Sequence, residues 1–260
     1  MVVLAMVPVA SAWQARAASA NQGAAPVLDL QAHEQPPENM RELAEKIMEI
    51  TIREEGQYRP IEFVRIGEDE YLILISGTQL DSPGGNNPES AAQEMTRESS
   101  PYLRQIRALI KEHIPAGSRL HFAGHSLGGM VANTLAARPE LLDEYTVVTV
   151  TTFASPVNAC PNPDVAYQRY IVEGDLIPLL HWAAIWSRLE GPLGVLRSSC
   201  EQGYEYLDQT IVDHRARPDG VRNSAHSSYQ FSQDLAELPL PFAVGRYEPM
   251  GRFEAEPQRR

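Results

Sequence analysis

The stretch that decides the fold runs Arg119-Leu120-His121-Phe122-Ala123-Gly124-His125-Ser126-Leu127-Gly128-Gly129-Met130-Val131. Its first five residues read as a strand. From Ser126 onward the apolar residues Leu127, Met130, Val131 and Leu135 recur at helical spacing, so a helix starts there. Between the two lies Gly-x-Ser-x-Gly. A serine on so sharp a strand-to-helix turn leaves no room for side chains on either flank, and glycine at 124 and 128 removes the clash. The turn lifts the hydroxyl clear of the sheet and points the N-terminus of the next helix at any oxyanion formed beside it. Ser126 is therefore read as a nucleophile, with Gly124, His125 and Gly128 completing its elbow.

Upstream, 61–66 and 71–75 read as two strands around a Gly67-Glu68-Asp69-Glu70 turn, the second almost wholly apolar. Leu103, Ile106, Leu109 and Ile110 mark an amphipathic helix ending near Pro115. Met40, Leu43, Ile47 and Ile50 mark another, behind a Pro36-Pro37-Glu38-Asn39 start. Downstream, 145–153 is a Val- and Thr-rich strand, 170–172 a short one, and 224–238 turns helical. Strands that alternate with helices and are apolar almost throughout predict an α/β fold around a mostly parallel central sheet. No internal repeat or second domain boundary interrupts the pattern.

Composition narrows the function. Of 260 residues 43% are apolar, enough for a substantial core, which excludes a disordered or collagen-like chain. No apolar run approaches the roughly 18 residues of a membrane span. Acidic residues outnumber basic ones 34 to 22, for a formal charge of -12, and no basic patch offsets it, so no nucleic-acid partner is expected. Cys160 and Cys200 lack the spacing of a zinc or redox site.

At the N-terminus a short apolar stretch from Val2 to Ala10 precedes two small-x-small triplets, Ala10-Ser11-Ala12 and Ala18-Ser19-Ala20. Residues 1–20 are read as a signal peptide lacking its basic leader, because the first arginine is Arg16. The expected location is secreted or periplasmic, with an Ala-rich tail on a cytoplasmic protein as the alternative. Export would permit a Cys160–Cys200 disulfide. Residues 21–38 read as a linker, 39–240 as the folded domain, and 241–260, rich in Pro, Gly and charge, as a loosely packed tail.

Around the elbow the chain resembles the class 3 (fungal-type) lipases of the α/β-hydrolase superfamily. The resemblance rests on Gly124-His125-Ser126-Leu127-Gly128-Gly129, on Ser76-Gly77-Thr78 after a strand, on Thr152-Phe153-Ala154-Ser155-Pro156, and on Gly174-Asp175-Leu176-Ile177-Pro178. Ser76 stands where the family has Arg, Ala154 where it has Gly, and the family's Trp-containing segment after the Gly-Thr pair is absent. The resemblance implies an α/β-hydrolase fold and a hydrolase of lipid acyl esters. Short-chain, feruloyl-type and phospholipase esterases on the same triad stay open, as does a non-catalytic binding protein of this fold.

A serine hydroxyl attacks well only when an imidazole takes its proton and a carboxylate fixes that imidazole. In this fold the order is Ser, acid, His. Three histidines follow Ser126. His226, in Ala225-His226-Ser227-Ser228-Tyr229, resembles the family's His-x-x-Tyr and is preferred over His214 and His181. Asp175, after a strand, is the preferred acid; a helix N-cap is its ordinary alternative role. Asp208, Asp213 and Asp164 are reserves. The oxyanion donors are the backbone N–H of Leu127, the residue after the nucleophile, and, by the resemblance, that of Thr78. The chemistry calls for no metal or cofactor. Residues 79–100, where this family places a lid, read as a polar, flexible loop. An apolar stretch containing Trp182, Ile185 and Trp186 is a candidate acyl-binding surface or, equally, a core helix.

Overall fold

In a computed structural model the described residues are 35–50, 59–79, 85–95, 100–159, 161–172, 174–179, 211–216 and 233–255. They fall within one compact unit, Glu34–Arg260. The chain alternates strands with helices: α1 (Met40–Glu49), β1 (Ile61–Arg65), β2 (Glu70–Ile75), α2 (Pro88–Met95), α3 (Pro101–His113), β3 (Arg119–His125), α4 (Leu127–Ala136), α5 (Pro139–Leu142), β4 (Thr146–Phe153), β5 (Ala166–Val172), β6 (Ile211–Ala216), α6 (Gln233–Ala236) and β7 (Glu248–Phe253). The strands form one seven-stranded sheet in the order β6-β5-β4-β3-β2-β1-β7. Neighbours from β2 through β6 run parallel, whereas β1 is antiparallel to both β2 and β7. This is an α/β fold with a mostly parallel sheet.

Both faces of the sheet are covered, which is why its strands are apolar at nearly every position. Alternate residues point to opposite faces. Phe63, Ile73, Ile75 and Phe122 pack with Leu103, Ile106 and Ile110 of α3 and Leu127, Val131 and Leu135 of α4. Their neighbours Val64, Leu72, Leu74 and Ala123 pack on the other face with Met40, Leu43 and Ile47 of α1, and with Leu235 and Phe242. Local chemistry starts the helices where the sequence predicts. Asn39 caps α1, accepting from the Glu42 N–H at 3.0 Å, while Glu42 returns a carboxylate oxygen to the Glu38 N–H at 2.8 Å. Ser100 caps α3 by accepting from the Leu103 N–H, with Pro101 in the first turn.

Four expectations change. Residues 241–255 are no loose tail: β7 pairs with β1, and its Phe253 ring lies 4.8 Å from the rings of both Phe63 and His113. Arg252 also pairs with the buried Glu62 at 2.9 Å. Pro, Gly and charge suggested a tail, but an edge strand accommodates all three, and the register shifts between Phe63 and Val64 opposite Pro249 and Gly251. The polar loop at 79–100 contains a helix, α2, begun by Asn87, whose side chain accepts from the Ser90 N–H. The strand expected at 170–172 starts four residues earlier, at Ala166. The charged stretch around His214 is a strand, β6, at the sheet edge. No helix among the described residues is long and apolar enough to cross a membrane.

Candidate active site

Strand β3 is central, and the chain leaves it through Ser126, at φ 51° and ψ −117°. Such a conformation costs a non-glycine residue about 1–3 kcal/mol and persists only when its surroundings hold it. Here they do. The Ser126 N–H donates to the Phe153 carbonyl at 2.9 Å, and the Ser126 carbonyl accepts from the Met130 N–H at 3.1 Å and from the Ser155 hydroxyl at 2.9 Å. The glycines are there for close approach. A Cβ at Gly124 would stand 2.5 Å from the carbonyl carbon of Gly128, and one at Gly128 would fall on the carbonyl oxygen of Ile75. A Cβ at Gly129 would stand 2.6 Å from the side chain of Ser155. Helix α4 therefore meets β2 and β3 backbone to backbone, and the exit of β4 through the side chains of Thr152 and Ser155.

The exit of β2 lies directly beside Ser126. Ile75 is in register with Gly124, and a Cβ on Gly77 would come within 3.1 Å of the Ser126 Cβ and 2.8 Å of Nδ1 of His125. This loop is fixed from below. The Ser76 N–H donates to the Pro60 carbonyl at 2.9 Å, and the Gln79 N–H to the Asn86 carbonyl at 2.8 Å. Ser76 is fully buried, and its side chain hydrogen-bonds Tyr102, whose hydroxyl also donates to the Pro60 carbonyl. Burial pushes the Tyr102 hydroxyl far above its ordinary value, so it stays protonated and can donate. An arginine in place of Ser76 would have to enter this packed space. Among the described residues no acceptor takes the N–H of Thr78 or of Leu127. Leu127 follows Ser126 directly, and Thr78 follows Gly77, which packs against Ser126.

The residues His125, Phe153 and Tyr170 are aligned across β3, β4 and β5, so the carboxyl ends of these strands share one edge. Asp175 follows β5 on that edge, two strands from Ser126, or roughly 10 Å at ordinary strand spacing. It is buried, follows Gly174 at φ 91°, and accepts the Ile177 N–H at 3.0 Å through one carboxylate oxygen. This bond starts the 3-10 turn Ile177–Leu179. The buried Arg169 of β5 donates to the Pro178 carbonyl at 3.1 Å and ties that turn to the sheet. The turn-capping role and a position at the carboxyl edge thus coexist in one aspartate.

Of the reserve acids, Asp164 is exposed in the turn before β5, at the opposite end of the strand from Asp175. Asp213 and His214 lie in β6, in register with Arg169 and Tyr170. His226, His181, Asp208, Trp182, Ile185, Trp186, both cysteines and the 1–20 segment lie outside the described residues. The sequence reading overlooked Arg169 and Ser155. Ser155 stood in the quoted Phe153-Ala154-Ser155-Pro156 segment, and the signal was the residue before it: Ala154 adopts φ 53° where the lipase pattern carries glycine. Comparisons with protein-family models, with curated proteins and with solved structures found no match.

Proposed function

We propose that this chain is a serine hydrolase of carboxylic esters with the α/β-hydrolase fold, acting through an acyl-enzyme. The observation that carries the reading is the backbone of Ser126: strained, gripped at both its N–H and its carbonyl, and next to Leu127 and the Gly77-Thr78 loop, where the N–H groups of Leu127 and Thr78 have no acceptor among the described residues. Holding a serine so costs stability, and a hydroxyl lifted above a sheet edge beside unused donors suits acyl transfer.

In this reading the Ser126 Oγ attacks the ester carbonyl carbon and its proton passes to the imidazole of His226. The carbonyl oxygen becomes an oxyanion and takes hydrogen bonds from the Leu127 and Thr78 N–H groups. The intermediate collapses, the C–O bond to the alcohol breaks, and the imidazolium protonates the departing oxygen. Water, activated by the same imidazole, then attacks the acyl-enzyme and releases the acid. Asp175 holds the imidazole in the tautomer this requires and stabilises its charged form. His226 enters from its place in the sequence, after β6 and after Asp175, in the chain order of this fold.

Lipid acyl esters are the proposed substrates, by the resemblance to class 3 lipases, and residues 1–20 add export to the reading. Hydrolysis of p-nitrophenyl butyrate and palmitate by the purified protein and by Ser126→Ala tests it. Turnover of palmitate that disappears in the variant supports a lipase, and turnover of butyrate alone supports a short-chain esterase. Failure of Ser126 to react with a fluorophosphonate, together with no serine-dependent turnover, would refute the enzyme reading.

A further inference from the structure

We infer that Ser155 is a positioning residue whose hydroxyl aims the Leu127 N–H at the oxyanion. The inference rests on Ser126 being the nucleophile. The peptide joining Ser126 to Leu127 is a rigid plane in which C=O and N–H point in opposite directions. Whatever fixes the Ser126 oxygen therefore fixes where the Leu127 N–H points. Two donors hold that oxygen. One is the Met130 N–H at 3.1 Å, the bond made at any helix start. The other, Ser155 Oγ at 2.9 Å, comes from the exit of β4, where no helix geometry requires it.

Ser155 cannot drift from this position. It is fully buried, and the absence of a Cβ at Gly129 is what admits its side chain against α4. Its single proton has a second acceptor, the Pro156 carbonyl, at a longer 3.2 Å. The turn that presents it passes through Ala154 at φ 53°, the other non-glycine residue with positive φ among those described. The exit of β4 thus grips the elbow twice: Phe153 accepts from the Ser126 N–H, and Ser155 donates to the Ser126 carbonyl. A donor on the carbonyl also polarises the peptide and strengthens its N–H as a donor. With the hydroxyl removed, the Met130 bond still starts the helix, but the peptide plane is free to tilt. That loss falls on the transition state, where the oxyanion's charge develops.

The test compares wild type, Ser126→Ala, Ser155→Ala and Ser155→Cys, the last keeping a filled site with a weak donor. For p-nitrophenyl butyrate, kcat should fall about tenfold in both Ser155 variants, part of the loss that follows deletion of a whole oxyanion donor, while KM stays within about twofold. Binding of phenylboronic acid, which forms a tetrahedral adduct on the serine, should weaken in parallel with kcat, and thermal melting reports whether each variant is folded. A kcat within about twofold of wild type in a folded variant, or a loss carried by KM, overturns the role of Ser155 and leaves the nucleophile standing. Absence of serine-dependent turnover in wild type overturns the nucleophile, and the role of Ser155 with it.

Discussion

Lowering the pH from 7 to 5 should destabilise this protein through one buried ring, His121. The side chain lies in β3 at 2% exposure, with Nδ1 2.9 Å from the Thr149 hydroxyl and the Phe242 ring 5.1 Å away. Its Nε2 has no hydrogen-bond partner among the described residues. Burial pushes its pKa from 6.5 down to about 4, which Glu70 opposes and Arg119 reinforces. A base with a depressed folded pKa is charged first in the unfolded chain. Its neutral form therefore stabilises the fold fully above pH 6.5, and that contribution drains away as pH falls toward 4. At about 1.4 kcal/mol per pH unit the whole difference is about 3 kcal/mol, of which about 2 kcal/mol is lost by pH 5. Glu94 and Glu49, whose pKa values burial raises, take up protons in the folded state and act in the opposite direction. The reading is therefore a difference. Urea unfolding of wild type and His121→Gln at pH 7 and pH 5 should show wild type losing about 2 kcal/mol more than the variant. Equal losses within about 0.5 kcal/mol, or an NMR titration of His121 near 6.5, would refute the argument.

Three further outcomes follow from the site. Ser126→Gly should unfold at higher denaturant, by about 1 kcal/mol, because relief of backbone strain exceeds glycine's entropic cost; a less stable variant would mean that φ 51° is not strained. Asp175→Asn keeps an oxygen for the Ile177 N–H and should melt like wild type while kcat falls on the order of 10³-fold or more; near-normal turnover removes Asp175 from the triad. Gly128→Ala drives a methyl into the carbonyl oxygens of Ile75 and Ser76 and should cost more than about 3 kcal/mol, seen as loss of soluble, cooperatively unfolding protein.

What the sequence disclosed was whatever local chemistry determines. The elbow was legible because Gly124 and Gly128 are demanded by contacts a few residues away, and α1 and α3 because Asn39, Ser100 and the apolar spacing act within a turn or two. The β1–β2 pair was legible from its turn and from the strand-like runs on either side of it, the second almost wholly apolar. Strands β6 and β7 were not, since their pairing depends on partners far along the chain, and Arg169 in β5 looks polar until its hydrogen bond to Pro178 is seen. Asp175 was singled out by its place after a strand and by the Gly174-Asp175-Leu176-Ile177-Pro178 resemblance, but Arg169, which ties the same turn to the sheet, carries no signature of its own. Ser155 was hidden for a similar reason: its partner is a main-chain carbonyl 29 residues earlier, and no side-chain pattern encodes that.

The pairing of β7 with β1 has a consequence for biosynthesis. Strand β1 emerges with its outer row of N–H and C=O groups uncovered and waits until β7, made after every other described strand of the sheet, arrives to cover it. A chain interrupted before 248 presents that row to any other copy, as an open template for intermolecular pairing. The arrival of β7 thus decides whether the edge is sealed within one molecule or shared between two.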